Sequence, residues 1–181
     1  MSELPHNDDH DEGRPNAAGL RRGWTTGACA TAAARAAYEA LLGGSFPDPV
    51  TIRLPRGLRA EFALATRRLG VGTASASIIK DAGDDPDVTH GAEIICTVTS
   101  GAPGSGIRYA AGAGVGTVTL PGLPIPPGEP AINPKPREMI GAALEEVAAE
   151  YGAQADLLVT IAIPGGELLA AKTANPRLGI V

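Results

Sequence analysis

A chain of 181 residues and 18.3 kDa is long enough for one domain with a substantial core and short for two. Its 24 glycines and 16 prolines describe a loop-rich globular chain, below the share that marks low-complexity disorder. Six aromatic residues and a formal net charge of −5 exclude a base-stacking platform and a phosphate-backbone binder, so no nucleic-acid partner is expected.

Residues 1–19 hold five acids (Glu3, Asp8, Asp9, Asp11, Glu12) against Arg14, and read as a disordered acidic tail. His6 and His10 could share a metal only on a helix, which this composition opposes, and no protein-bound metal is expected. The tail lacks the basic and apolar regions of a secretory signal, and no run approaches the ~18 apolar residues of a spanning helix. Cys29 and Cys96 form no zinc pattern or disulfide framework. A cytoplasmic chain with no membrane association is the expectation.

After Trp24, Thr25 or Thr26 can cap an alanine-rich helix that Gly43 ends, with Ala30, Ala33, Ala34, Ala37 and Leu41 as a smooth stripe. Strand patterns follow at Val50–Leu54, Arg59–Thr66, Ala74–Lys80 and Ala92–Thr99, with a short candidate at Val115–Leu120. The proline-dense stretch Pro121–Pro136 must be largely extended. A second helix, Pro136–Tyr151, buries Ile140, Leu144, Val147 and Tyr151 and stops at Gly152. A last strand, Asp156–Ile163, precedes a helical piece near Glu167–Lys172. Runs of strands with helices between and after them predict an α+β layer over residues 20–181.

The segment richest in chemistry is KDAGDDPDVTHG, Lys80–Gly91. Asp81, Asp84, Asp85 and Asp87 repel one another unless solvated, metal-bound or paired with cations, and the EF-hand frame is absent. The loop is either a surface turn built on Asp-Pro or a ligand loop in which a carboxylate or His90 accepts a proton. Gly112, Gly114 and Gly116 lack the Gly-Lys-Ser/Thr of a phosphate loop and fit a close backbone approach better. The amides of Thr26, Gly27 and Ala28 open the first helix and suit an anion, while Cys29 beside them reads as a small buried residue rather than a nucleophile. Asn133 is either a turn residue or an amide offered to a ligand. Arg21, Arg22, Arg53, Arg56, Arg59, Arg67 and Arg68 would suit a carboxylate-rich ligand, and surface solubility explains them equally well.

Four collinear segments resemble the CbiD family: LRRGWTTGACATAAA at Leu20–Ala34, KDAGDDPDVTHGAEI at Lys80–Ile94, GVGTVTLPGLPIPPGEPAINPKPR at Gly114–Arg137, and IPGGELLAAKTANPRLGIV at Ile163–Val181. The resemblance implies a cytoplasmic enzyme of anaerobic cobalamin biosynthesis. Its cosubstrate is S-adenosylmethionine, whose methyl group goes to carbon 1 of cobalt-precorrin-5B to give cobalt-precorrin-6A, the cobalt belonging to the substrate. The implied fold is a circularly permuted left-handed β-α-β arrangement like that of GHMP kinases, followed in the family by a second, α/β domain that this sequence does not include. On that resemblance Asp84, Asp85 and His90 are expected at the substrate, one of them assisting proton removal. Lys80 and the Thr25, Thr26 and Gly27 region would meet peripheral acetate or propionate groups, with Asn133 nearby. The alternatives are a non-catalytic tetrapyrrole-binding fragment that needs a separately encoded second half, and a kinase-like phosphotransferase, which the missing phosphate loop disfavours.

Overall fold

Alanine dominates the first helix, and the structure shows why so smooth a cylinder is needed. In the computed structural model, which describes Gly19 and residues 21–173 with side chains as far as Leu169, helix α1 (Thr26–Gly43) is buried almost without a break from Ala28 to Ala40. The Thr25 hydroxyl caps it by accepting from the Ala28 amide at 3.1 Å. Gly44, one residue later than the sequence suggests, adopts the left-handed conformation (φ 82°) and donates to the Ala40 carbonyl. Burial therefore runs around the whole helix rather than along one stripe, and the two polar groups it hides are satisfied: Thr31 Oγ1 donates to the Gly27 carbonyl and the Tyr38 hydroxyl to that of Gln154.

Strands β1 (Val50–Arg53) and β2 (Arg59–Phe62) form a separate antiparallel hairpin with Val50 opposite Phe62. The main sheet comprises β3 (Thr66–Gly70), β4 (Thr73–Ile79), β5 (Glu93–Ser100), β6 (Ile107–Ala111) and β7 (Leu157–Ala162) in the order β3-β4-β5-β7-β6. Its pairs are antiparallel except β6 with β7, which run parallel because helix α2 (Pro134–Tyr151) carries the chain back between them. A short α3 (Gly166–Thr173) follows β7. Ala74, Ala76 and Ile78 of β4, Ile94, Cys96 and Val98 of β5, and Leu157, Val159 and Ile161 of β7 point to one face, where they meet α1 and Ile140, Leu144 and Val147 of α2. The other face carries a row of hydroxyls, Ser75, Thr97 and Thr160. This is the α+β arrangement the pattern predicts. No helix among the described residues is long and apolar enough to cross a membrane.

Four local expectations change. The run Arg59–Thr66 is not one strand: it breaks after Phe62, where the Asp48 carboxylate takes the Leu64 amide, and its ends join different sheets. Val115–Leu120 forms no strand and pairs only by isolated bridging, as of Thr117 with Pro130, while Ile107–Ala111 supplies a strand the pattern did not show. Helix α2 starts at Pro134, two residues early, since proline fits a first turn. Tyr151 is half-exposed rather than core, lying beside Gly43 at the far end of α1. The acidic tail, His6 and His10 lie outside the described residues.

The two long helices run parallel. Gly27 adjoins Pro136 at one end, Gly43 adjoins Tyr151 at the other, and between them Arg35 of α1 binds Glu146 and Glu150 of α2 as well as its own Glu39. Since Ala33 is fully buried, Ala33→Leu overpacks the space around α1 and should lower stability by about 1–3 kcal/mol. A lower urea midpoint with an unchanged slope is the expected reading; a gain in stability would show that the space is slack.

Candidate functional site

Strand directions gather the chemistry-bearing segments at one end of the sheet. Strand β4 finishes there and β5 begins, because Ile79 lies opposite Glu93. Strands β6 and β7 finish there too, since Ile95 near the start of β5 pairs with Ala162 and Ala111 pairs with Ile161. Helix α2 leaves from that end to return to β7, and α1, parallel to α2, starts there as well. The Lys80–Gly91 loop, the Arg21–Gly27 entry to α1, the Gly112–Gly116 turn and Asn133 are thus brought to a common edge, the region outside the carboxyl ends of the two parallel strands.

Within the loop the four carboxylates are sorted rather than left to repel. Asp81 receives both terminal nitrogens of Arg21, at 2.6 and 3.0 Å, and the Gly83 amide at 2.8 Å. The Arg21 guanidinium and the Gly83 amide hold its carboxyl down at about 2. Asp87 is partly buried, which alone would raise its pKa, but the Lys80 ammonium and the Thr89 hydroxyl and amide pull it down to about 2. Asp84 accepts the Arg21 amide at 2.7 Å and returns its own amide to the Arg21 carbonyl. Asp85 is exposed, and its carboxylate accepts no hydrogen bond from the described residues. His90 is half-exposed, with Nδ1 accepting the Ala82 amide at 3.0 Å.

Lys80 departs from expectation. Its side chain is 2 % exposed and its ammonium is spent inward on Asp87 and on Thr89 Oγ1 at 2.6 Å, so it underpins the loop instead of reaching outward to a ligand. Arg21, separated from the loop by some 60 positions, does the clamping, and no spacing in the sequence signals it. The contact is close: Gly23 lies back to back with Ala82, Trp24 donates its amide to the Asp81 carbonyl at 2.7 Å, and Arg22 bridges to Gly83.

At the start of α1 the Thr25 hydroxyl is used in the cap, and the amides of Thr26 and Gly27 have no acceptor among the described residues, as is usual in a first turn. Asn133 precedes α2, exposed and without a side-chain capping bond, beside a first turn whose Pro136 touches Gly27. Arg137 fixes this corner. It lies over the Tyr109 ring at 5.2 Å, donates to the Ile132 and Pro130 carbonyls at 2.9 Å each, and pairs with Glu129, which ties the proline-rich connector to the helix. Gly114 packs against the Ile163 carbonyl and Gly166, so that turn meets its own backbone rather than a ligand. Cys29 is wholly buried and packs in the core. Among the described residues no cluster of three or more His, Cys, Asp or Glu could hold a metal ion. A shallow cavity of about 630 Å³ lies elsewhere, against β3, β4 and β5, and includes Arg68, Ser75, Glu93 and Thr97.

Comparison with known proteins places this arrangement. The chain is 64% identical over 162 residues to the cobalt-precorrin-5B C(1)-methyltransferase of Brucella anthropi and 65% identical over 162 residues to that of Bradyrhizobium sp.. The matches cover 90% of this chain and 44% and 43% of those proteins, so it spans less than half the length of the curated relatives it matches. The crystal structure of a cobalamin biosynthesis protein (cbiD) from Archaeoglobus fulgidus superposes with a TM-score of 0.67 at 31% identity, covering 89% of this chain and 50% of that one. The sequence model of the CbiD family matches residues 13–181. With both loop and helix entry inside that match, the chain belongs to the CbiD family.

Proposed function

We propose that this chain supplies the first part of a cytoplasmic enzyme that methylates carbon 1 of cobalt-precorrin-5B with S-adenosylmethionine, giving cobalt-precorrin-6A. The observation that carries the reading is the 62–65% identity, over nine-tenths of the chain, to methyltransferases of that name. The fold is read as the permuted left-handed β-α-β arrangement related to GHMP kinases. The partner is the remaining length present in the relatives, fused or separately encoded.

The sulfonium is already a strong electrophile, so the protein's task is positioning and charge. The methyl carbon leaves sulfur, the bonding pair stays on sulfur, and carbon 1 supplies the pair for the new bond. The methyl arrives as the equivalent of a cation, and a carboxylate nearby offsets that charge or takes a proton the macrocycle loses. Asp85, exposed and unpartnered among the described residues, suits this role, with Asp84 and His90 lining the same loop. The Thr26 and Gly27 amides and the Asn133 side chain receive peripheral carboxylates of the substrate.

The test joins residues 1–181 to the segment of the Brucella anthropi protein beyond its matched region and assays methyl transfer by mass spectrometry. Calorimetry with S-adenosylmethionine is run on the chimera and on the 181-residue chain. The chimera should produce the methylated macrocycle, and Asp85→Asn should slow it about tenfold or more. A folded chimera that binds the tetrapyrrole without methylating it would favour the non-catalytic binding fragment, a reading the partial span keeps open.

A further inference from the structure

The two nitrogens of the His90 ring have different employment. Nδ1 accepts a hydrogen bond from the backbone amide of Ala82 at 3.0 Å, and only an unprotonated ring nitrogen can do so. In the neutral ring the proton must therefore sit on Nε2. The alternative ring orientation is disfavoured by the same contact. Ala82 is 4 % exposed, its amide has no other acceptor among the described residues, and turning the ring over would aim a C–H at a buried donor. Ala82 itself cannot shift easily, because it lies against Gly23.

The charged groups around the ring are also committed. The nearest, Asp81 Oδ1, is 3.9 Å from Nδ1 and already holds Arg21 and the Gly83 amide. Asp87 is held by Lys80 and Thr89, and Asp84 by the Arg21 amide. The side chain is 56 % exposed, and no described residue bonds its Nε2, so that nitrogen is the one with a bond still to make.

We infer that His90 is a fixed neutral donor, offering Nε2–H to a carboxylate or carbonyl oxygen of the bound ligand, and that the proton acceptor of this loop is Asp85. As a neutral ring with Nε2 already protonated and Nδ1 occupied, His90 has no free lone pair with which to act as a base. The catalytic part of this division of labour rests on the proposed methyl transfer; the tautomer does not.

Long-range nitrogen–proton correlation spectra of the 15N-labelled 181-residue chain read directly which ring nitrogen carries the proton. The His90 signals are identified by their loss in His90→Gln. A proton on Nε2 with Nδ1 bare supports the inference; a proton on Nδ1, or exchange between the two nitrogens, overturns it. In the chimera, His90→Gln keeps a neutral N–H donor and cannot serve as a base, so it should recover about tenfold of the rate lost in His90→Ala. Glutamine as slow as alanine would overturn the donor role. A wild-type chimera that forms no product would refute the reaction instead, with the spectrum still deciding the tautomer.

Discussion

Exchanging Asp87 for alanine is expected to lower the unfolding free energy by about 3–5 kcal/mol, because it leaves a buried ammonium without its counter-ion. Lys80 is 2 % exposed and its Nζ has two partners, Asp87 and Thr89. After the exchange a single hydroxyl oxygen faces a charge that water reaches poorly. Lys80→Met should cost less, about 1–2 kcal/mol, since it removes the group that is hard to desolvate and leaves a carboxylate, a third exposed, that can rehydrate. Equal effects, or the reverse order, would mean that the pair does not hold the loop. Urea unfolding of the two variants decides it.

Acid should act on the same bond. The carboxyl pKa of Asp87 and that of Asp81 fall to about 2 in the folded chain, below their ordinary value near 4. Carboxyls depressed by folding contribute stability that is complete above pH ~4 and is lost as pH falls towards ~2. Both are partly exposed, so solvent screening cuts the combined loss to about 2 kcal/mol. Asp87→Ala should flatten this acid limb, and an unchanged limb would assign it to other carboxylates.

The second large effect is expected at Gly23. A Cβ there would lie 1.8 Å from the carbonyl carbon of Ala82 and 2.3 Å from its Cα and oxygen. These are backbone atoms, and neither strand of the contact can retreat freely. Trp24 is bonded to the Asp81 carbonyl on one side, and Arg21 and Asp84 exchange amide hydrogen bonds on the other. Gly23→Ala should therefore cost about 3 kcal/mol or more, or part the aspartate loop from the entry to α1 and abolish activity in the longer chimera. Gly44→Ala is the useful comparison. Gly44 has a left-handed φ of 82° but nothing within 4 Å, so only the backbone preference is lost, about 1 kcal/mol. If the Gly44 variant were the more damaging, the close approach at Gly23 would not be what joins the two segments.

Much of this fold could be read from the chain, and the exceptions share a cause. Thr25 and Gly152 bound α1 and α2 as read from their local preferences, while the other two ends fall at Gly44 and Pro134, one and two residues from the Gly43 and Pro136 of the sequence reading. Pairing partners are not local. Alternation continues in appearance from Arg59 to Thr66, yet β2 joins β1 and β3 joins β4, and the strand Ile107–Ala111 is too short and mixed to announce itself between glycine-rich stretches. The site divides the same way. The density of aspartates marked the Lys80–Gly91 loop, whereas its clamp, Arg21, depends on tertiary contact. Lys80 carried an unused signal: Ala74, Ala76 and Ile78 alternate inward along β4, and Lys80 is next in that parity, which places its side chain beneath the loop.

The meeting of Trp24 with the aspartate loop has an optical consequence. Trp24 is the single tryptophan of the chain; its backbone holds Asp81 and its ring leans on Phe62, with centroids 5.0 Å apart. Indole emission from this protein therefore originates beside the Lys80–Gly91 loop, at the root of α1. A coloured macrocycle settling at that edge would quench it by energy transfer, and a colourless ligand would shift it by changing the water around the ring. The chain carries its own fluorophore at the edge proposed to bind the ligand, and no label need be added to test whether that edge fills.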